Sequence, residues 1–181
     1  MRASIGLIAM LASSALAAEV RRVQPFAVQA IGGGAVEWRP GVVTVALFVS
    51  AECPMSRDYE DRLAELWREF EGRGVTWLAI APNVNESDER VMKMAGDAPL
   101  PFPIYRDPRL SAVDALGAKM TPVAMVVDPK GVVRYRGAID DARNVARVKR
   151  RWVREALEAV LAGRAVAQSE GKGLGCAIKR R

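Results

Sequence analysis

Residues 42–50 form a nearly unbroken run of apolar, β-branched and aromatic side chains, the pattern of a strand covered on both faces and so central in a sheet. From Pro54 the period changes. Met55, Tyr59, Leu63, Leu66, Trp67 and Phe70 recur at steps of three and four, separated by Arg57, Asp58, Glu60, Asp61, Arg62, Glu65, Arg68 and Glu69. That spacing predicts one amphipathic helix, ended near Gly72 and Gly74. Residues 75–81 read as a second buried strand, and 87–94 as a short helix with Asn83, Asn85 and Ser87 as candidate caps. Four prolines interrupt 99–108, leaving room for a short extended piece at 102–105. A short helix at 110–116, closed by Gly117, comes next. Two apolar runs in 119–137 flank Asp128-Pro129-Lys130-Gly131, which suits a type I turn and predicts a hairpin. Residues 140–162 read as a long helix with Val145, Val148, Trp152, Val153, Leu157, Val160 and Leu161 on its apolar side. Upstream, 24–40 reads as a strand or hairpin on Gly32-Gly33-Gly34; this triplet lacks the GxGxxG spacing and the lysine of a phosphate cradle.

Strand, helix, strand, helix, hairpin, helix is an α/β order in which helical crossovers make the middle strands parallel. The expected fold is a central mixed β-sheet flanked by helices on both faces, with the closing hairpin adding antiparallel edges. Trp38, Trp67, Trp77 and Trp152 are expected to be packing anchors.

With 181 residues, half of them apolar, the chain is one domain of ordinary size that can bury a sizeable core. Its first 17 residues carry one early positive charge, an apolar run too short to span a membrane, and small residues at Ala15 and Ala17. They read as a secretory signal cleaved after Ala17, with a buried first helix as the alternative. The expected organisation is a signal peptide at 1–17, the α/β domain at 18–163 and a flexible basic tail at 164–181 carrying Cys176. The expected location is periplasmic or secreted, with no membrane span after cleavage.

Four of the six net positive charges fall in the tail, where Arg164, Lys172, Lys179, Arg180 and Arg181 face only Glu170. No aromatic residue interleaves them as a base-stacking surface requires, so a solvated end is preferred and no nucleic-acid partner is expected. The chain has no histidine, which removes Ser/His/Asp and Cys/His triads and histidine-based zinc sites. Met92, Met94, Met120 and Met125 are soft copper ligands in principle, but gap-filling in a core is their preferred use; no metal or cofactor is expected.

Two cysteines, Cys53 and Cys176, are too few for a disulfide scaffold, yet in an oxidising compartment they suit redox linkage. Sites in open α/β sheets gather at the C-terminal ends of parallel strands. Cys53 stands at such an end and at a helix start, with Pro54 in the first helical position. Free N–H groups there, and Arg57 one turn on, favour a thiolate, whereas Glu52 opposes one. A buried cysteine that merely fills space is the competing reading.

These residues resemble the thioredoxin-like superfamily, in its redoxin branch of the alkyl hydroperoxide reductase and thiol-specific antioxidant (AhpC/TSA) type. The resemblance spans about residues 40–163 and rests on three features in order: an apolar strand, Cys53-Pro54-Met55-Ser56 opening a helix, and Thr121-Pro122 leading into a strand and hairpin. It implies that Pro122 is cis and lies against Cys53, and that the backbone of Thr121 pairs with an extended substrate. Ser56 replaces the second cysteine of the thioredoxin motif, so the usual internal release of a mixed disulfide is missing; its hydroxyl is expected to reach the Cys53 thiolate. Peroxiredoxins carry Pro-x-x-x-Thr/Ser-x-x-Cys; Ser50 matches the hydroxyl position and Ala46 replaces the proline. By analogy with peroxiredoxins that resolve through a C-terminal arm, Cys176 is a candidate resolving cysteine, against the alternative of a stray thiol at a frayed end.

Three readings follow, with candidate site residues Cys53, Ser56, Thr121, Pro122 and Cys176. The preferred one is an exported thiol-disulfide oxidoreductase acting on protein thiols or disulfides and recycled by a thiol reductant. The others are a thiol peroxidase acting on a peroxide, and a redox-inactive module that binds a partner protein or copper.

Overall fold

The computed structural model describes residues 22–97 and 100–181; the expected signal segment, 1–17, lies outside the described residues. In chain order the elements begin with β1 (Phe26–Ala30), β2 (Ala35–Trp38), β3 (Val43–Phe48), α1 (Pro54–Arg57), α2 (Glu60–Phe70), β4 (Val75–Ala81), α3 (Asp88–Asp97) and β5 (Ile104–Arg106). There follow α4 (Ser111–Leu116), β6 (Met120–Thr121), β7 (Val123–Val127), β8 (Val133–Gly137), α5 (Trp152–Leu161), β9 (Glu170–Gly171) and β10 (Cys176–Ala177). The main sheet has the order β2-β1-β5-β4-β3-β7-β8-β9. Strands β3, β4 and β5 are mutually parallel, while β7 is antiparallel to β3 and β8 to β7.

Every residue of β3 and β7 is buried, as continuous apolar strands covered on both faces must be. Alternate residues feed two cores. Val43, Val45 and Leu47 of β3 join Leu63, Leu66 and Phe70 of α2 and Val153, Ala156 and Leu157 of α5. Ala46 and Phe48 join Ala112, Val113 and Leu116 of α4 on the opposite face. Trp38 and Trp77 are buried, and Trp67 and Trp152 pack partly buried against the first core, so all four act as anchors. The methionines divide likewise: Met94 belongs to one core, Met125 and Met120 to the other, and Met92 is exposed.

The hairpin of β7 and β8 turns where expected, the Asp128 carboxylate accepting the N–H groups of Lys130 and Val132, both at 2.9 Å. β7 is nevertheless interior, between β3 and β8, and β8 is bordered by β9, so the hairpin supplies no free edge. Two helix expectations need correction. The helix expected to run unbroken from Pro54 splits at Asp58 and Tyr59 into α1 and α2; the Asp58 carbonyl accepts Arg62 Nη2 at 2.9 Å, and α2 restarts at Glu60. The long helix expected at 140–162 is helical only as α5, preceded by a 3-10 turn at Val145–Arg147. Asp140, Asp141 and Asn144 take the backbone N–H groups of Ala142, Lys149 and Ala146 onto their side chains, and Val145 faces solvent. Short polar side chains that bond the nearby backbone compete with the helical ladder.

Residues 164–181, expected to be a flexible arm, lie against the body. β9 pairs parallel with β8, and β10 pairs antiparallel with β6. Gly171, Gly173 and Gly175 fall at every second position, the period of one face of an extended chain. A Cβ on Gly171 would meet the Tyr135 hydroxyl and the Trp152 ring; one on Gly173 would lie 2.8 Å from Ala138 Cβ, and one on Gly175 2.7 Å from the Thr121 carbonyl oxygen. The glycines fit the tail flush against the sheet.

Candidate active site

The end of β3 and the start of α1 present Cys53. Its backbone is extended, it occupies the N-cap position of α1, and Pro54 follows as the first helical residue. The strand end is held to the helix by short bonds: Cys53 N–H to the Ser50 carbonyl at 3.3 Å, Ser56 N–H to the Cys53 carbonyl at 2.9 Å, and Ser50 N–H to Ser56 Oγ at 3.1 Å. Ser56 is expected to reach the thiolate; in this disulfide form its oxygen accepts the Ser50 amide, which fixes the turn that carries Cys53. α1 is a single turn, Pro54 has no N–H and the Ser56 N–H is taken by the Cys53 carbonyl, so this helix start offers the sulfur less than the free N–H groups and summed dipole of a long helix.

Cys53 is buried and its Sγ is bonded to Sγ of Cys176, 123 positions away, with the Cα atoms 6.1 Å apart. The Thr121-Pro122 peptide is cis, and the Thr121 carbonyl oxygen lies 3.2 Å from Cys53 Sγ. A disulfide sulfur has no proton, so this is a contact in the oxidised form; in the reduced form a thiol there can donate to that oxygen. β10 pairs with β6 in a register that sets Cys176 opposite Thr121 and Ala177 opposite Met120. Cys53, Thr121, Pro122 and Cys176 therefore meet at one place. Ser56 lies one turn behind.

Sequence reading missed a polar cluster behind Cys53. The buried Glu86 carboxylate accepts the Ser50 hydroxyl at 2.5 Å, the Asn83 amide at 3.2 Å and the Glu52 N–H at 3.1 Å. Asn83 Nδ2 also donates to Ser50 Oγ at 3.0 Å. Arg106, buried too, donates to the carbonyls of Asn83 and Glu86 and pairs with Asp88. Ser50, the residue in the peroxiredoxin hydroxyl position, is thus committed to Glu86 and Asn83. The Glu52 carboxylate, expected to oppose a thiolate, is paired with Arg90 and with Asn85 Nδ2. No spacing announces these contacts; the only sequence signal was a serine ending a buried strand and two asparagines read as caps.

Across the tail, an open cleft of about 240 Å³ is lined by Met55, Tyr59, Asp140, Asp141, Lys172 and Leu174. Burial pushes the Tyr59 hydroxyl up, nearby Asp140 adds to the rise, and the Arg62 guanidinium stacked over its ring offsets part of it. Burial also raises the Asp140 carboxyl, against the hydrogen bond from Arg62. Among the described residues, no three Cys, Asp or Glu side chains cluster as a metal site, and no helix is long and apolar enough to cross a membrane.

The backbone compares closely with solved structures. An uncharacterized conserved protein from Geobacillus kaustophilus aligns with a TM-score of 0.79 at 29% identity, over 89% of this chain and 91% of that one. A hypothetical protein from Sinorhizobium meliloti 1021 aligns with a TM-score of 0.77 at 28% identity, over 87% and 92%. A secreted disulfide oxidoreductase of Mycobacterium tuberculosis, homologous to E. coli DsbE, shares the fold at 14% identity with a TM-score of 0.56, over 76% and 95%. No curated protein matches the chain. The AhpC/TSA family model matches residues 24–136, more than half of the chain, and this protein therefore belongs to the AhpC/TSA family with a thioredoxin-like fold.

Proposed function

We propose that the protein is an exported thiol-disulfide oxidoreductase in which Cys53 is the nucleophile and Cys176 the resolving cysteine. The observation that carries this reading is the register of β10, which brings Cys176 opposite Thr121 and into a disulfide with Cys53 beside a cis proline. The Cys53 thiolate attacks a partner disulfide, forming a mixed disulfide and expelling one partner thiolate. The Cys176 thiolate then attacks Cys53 Sγ, forming the internal disulfide and expelling the second partner thiolate, each thiolate taking a proton from water. Two electrons pass from the cysteine pair to the partner, and a thiol reductant must restore them.

Ser56 holds the turn, and the Thr121 carbonyl steadies the thiol. Export is supported by the composition of residues 1–17 and by the secreted protein that shares the fold.

The test is intact mass with peptide mapping after alkylation, on the reduced protein before and after one equivalent of oxidised glutathione or hydrogen peroxide. A reversible Cys53–Cys176 bond is expected with the disulfide, a persistent mixed disulfide in Cys176→Ser, and in Cys53→Ser only the slow reaction of an ordinary thiol at Cys176. Alkylation of Cys53 no faster than a model thiol would overturn the reading. Rapid oxidation by peroxide with inertness to disulfides would replace it with a peroxidase.

A further inference from the structure

Residues 175–179 occupy a slot with two walls. On one side β6 pairs with β10, and Ile178 N–H donates to the Lys119 carbonyl at 3.1 Å. On the other, Lys179 is held at both backbone groups: its N–H donates to Asn83 Oδ1 at 2.8 Å, and its carbonyl accepts Val84 N–H at 3.1 Å. Side chains are read at alternate positions. Gly175 has no room for a Cβ beside the Thr121 carbonyl and Met120 Sδ, Cys176 meets Cys53, Ala177 is exposed, and Ile178 packs against the second core. An extended peptide held mainly through its backbone, with pockets for alternate side chains, is the strand-addition mode of peptide recognition.

We propose that this slot is the docking surface for a partner polypeptide presenting an extended Gly-Cys-x-aliphatic segment, and that residues 175–179 are the resident copy of that segment. The inference rests on the oxidoreductase reading and names its substrate class. Partner and tail exclude one another, because each needs the Asn83 side-chain oxygen and the same backbone groups of Val84, Lys119 and Thr121. In the mixed disulfide the partner's cysteine occupies the place of Cys176. For resolution the partner strand leaves β6 while still joined through Cys53; the Cys176 thiolate then attacks Cys53 Sγ in line with the Cys53–partner bond, which breaks and frees the partner thiolate, and β10 re-pairs with β6 around the new internal disulfide.

The probe is the capped peptide Leu-Gly-Cys-Ala-Ile-Lys with its cysteine in a disulfide to thionitrobenzoate, reacted with the reduced full chain carrying Cys176→Ser. The Cys53 thiolate bonds to the peptide sulfur and releases the coloured thiolate, so absorbance reads the rate. The parent peptide is expected to react at least about tenfold faster than versions with valine before the cysteine or aspartate in place of the isoleucine, a ratio worth about 1.4 kcal/mol. Adding Gly175→Val, which unseats the resident tail, is expected to raise the parent rate severalfold. Equal rates for all peptides, with Cys53 still reactive, overturn the slot and leave the oxidoreductase reading standing. An unchanged rate with Gly175→Val shows that tail and peptide do not share a site and overturns the slot as well. Inertness of Cys53 toward every disulfide overturns both.

Discussion

Gly173 and Asp128 show how single positions set the site and its frame. Gly173 sits between the two short strands of the tail, and a Cβ there would press on Ala138. Gly173→Val must lift the segment and lower the effective concentration of Cys176 at Cys53. Closure of the internal disulfide is expected to slow about tenfold, read as the decay of the mixed disulfide with glutathione, whereas Leu174→Ala, at a largely exposed side chain, leaves it nearly unchanged. Asp128 holds the turn that aligns β7 with β8. Burial alone would raise its carboxyl, but the N–H groups of Val132 and Lys130 and the Arg134 guanidinium outweigh this and hold it below the usual carboxylate range. A depressed acid adds stability that is fully present above its unfolded pKa and is lost as pH falls through the folded one. Asp128→Ala is expected to cost about 1–3 kcal/mol near neutrality, measured by denaturant unfolding, with the deficit shrinking toward acid pH.

At the scale of elements, the central strands and the short helix closed by Gly117 were legible, and the breaks inside the two long helices were not. The continuous runs of β3 and β4 and the Asp-Pro-Lys-Gly turn carry local signals, so the strand that ends before Cys53 and the hairpin after Pro122 could be read directly. The split between α1 and α2 and the irregular 140–151 stretch depend on pairs far apart in sequence: Arg62 with Asp140, and Arg143 with Asp58. Periodicity sees neither. Arg62 and Asp140 are almost fully buried, and Arg62 also donates to the carbonyls of Ala142 and Arg143. Arg62→Met leaves a buried carboxylate uncompensated and is expected to cost about 3–5 kcal/mol. Burial already raises Asp140, and losing Arg62 raises it further. An acid with a raised folded pKa gains relative stability as pH falls through that value. The deficit of Arg62→Met is therefore largest at neutral pH and narrows as Asp140 takes up a proton, which unfolding midpoints across roughly pH 4 to 8 would reveal.

For the molecule as a whole, the tail is the part least visible in the sequence and the most consequential. Its two strands are two residues each, too short for any period, and the glycine spacing that reads as flexibility is instead the shape of a close fit. The body is secured by two apolar cores. The tail is held by a few backbone bonds, including Arg136 N–H to Ser169, Ala138 N–H to Gly171 and the bonds around Ile178 and Lys179, with little apolar burial beyond Val166 and Ile178. Exposed backbone bonds with few buried apolar contacts place a segment at the low end of local stability. The disulfide changes that balance: closing a loop over 123 positions contributes about 5 kcal/mol on the chain-entropy account. Reduction is thus expected to release the tail and leave the body folded, which is the state that a partner strand requires. Hydrogen exchange on oxidised and reduced protein tests this. The amides of Ile178, Lys179 and Val84 are expected to exchange at least tenfold faster after reduction, about 1.4 kcal/mol of lost protection, while those of β3 and β4 remain strongly protected, as a folded body requires. Equal protection in both forms would mean that the tail stays docked without its disulfide, and that the slot opens only when a partner competes for it.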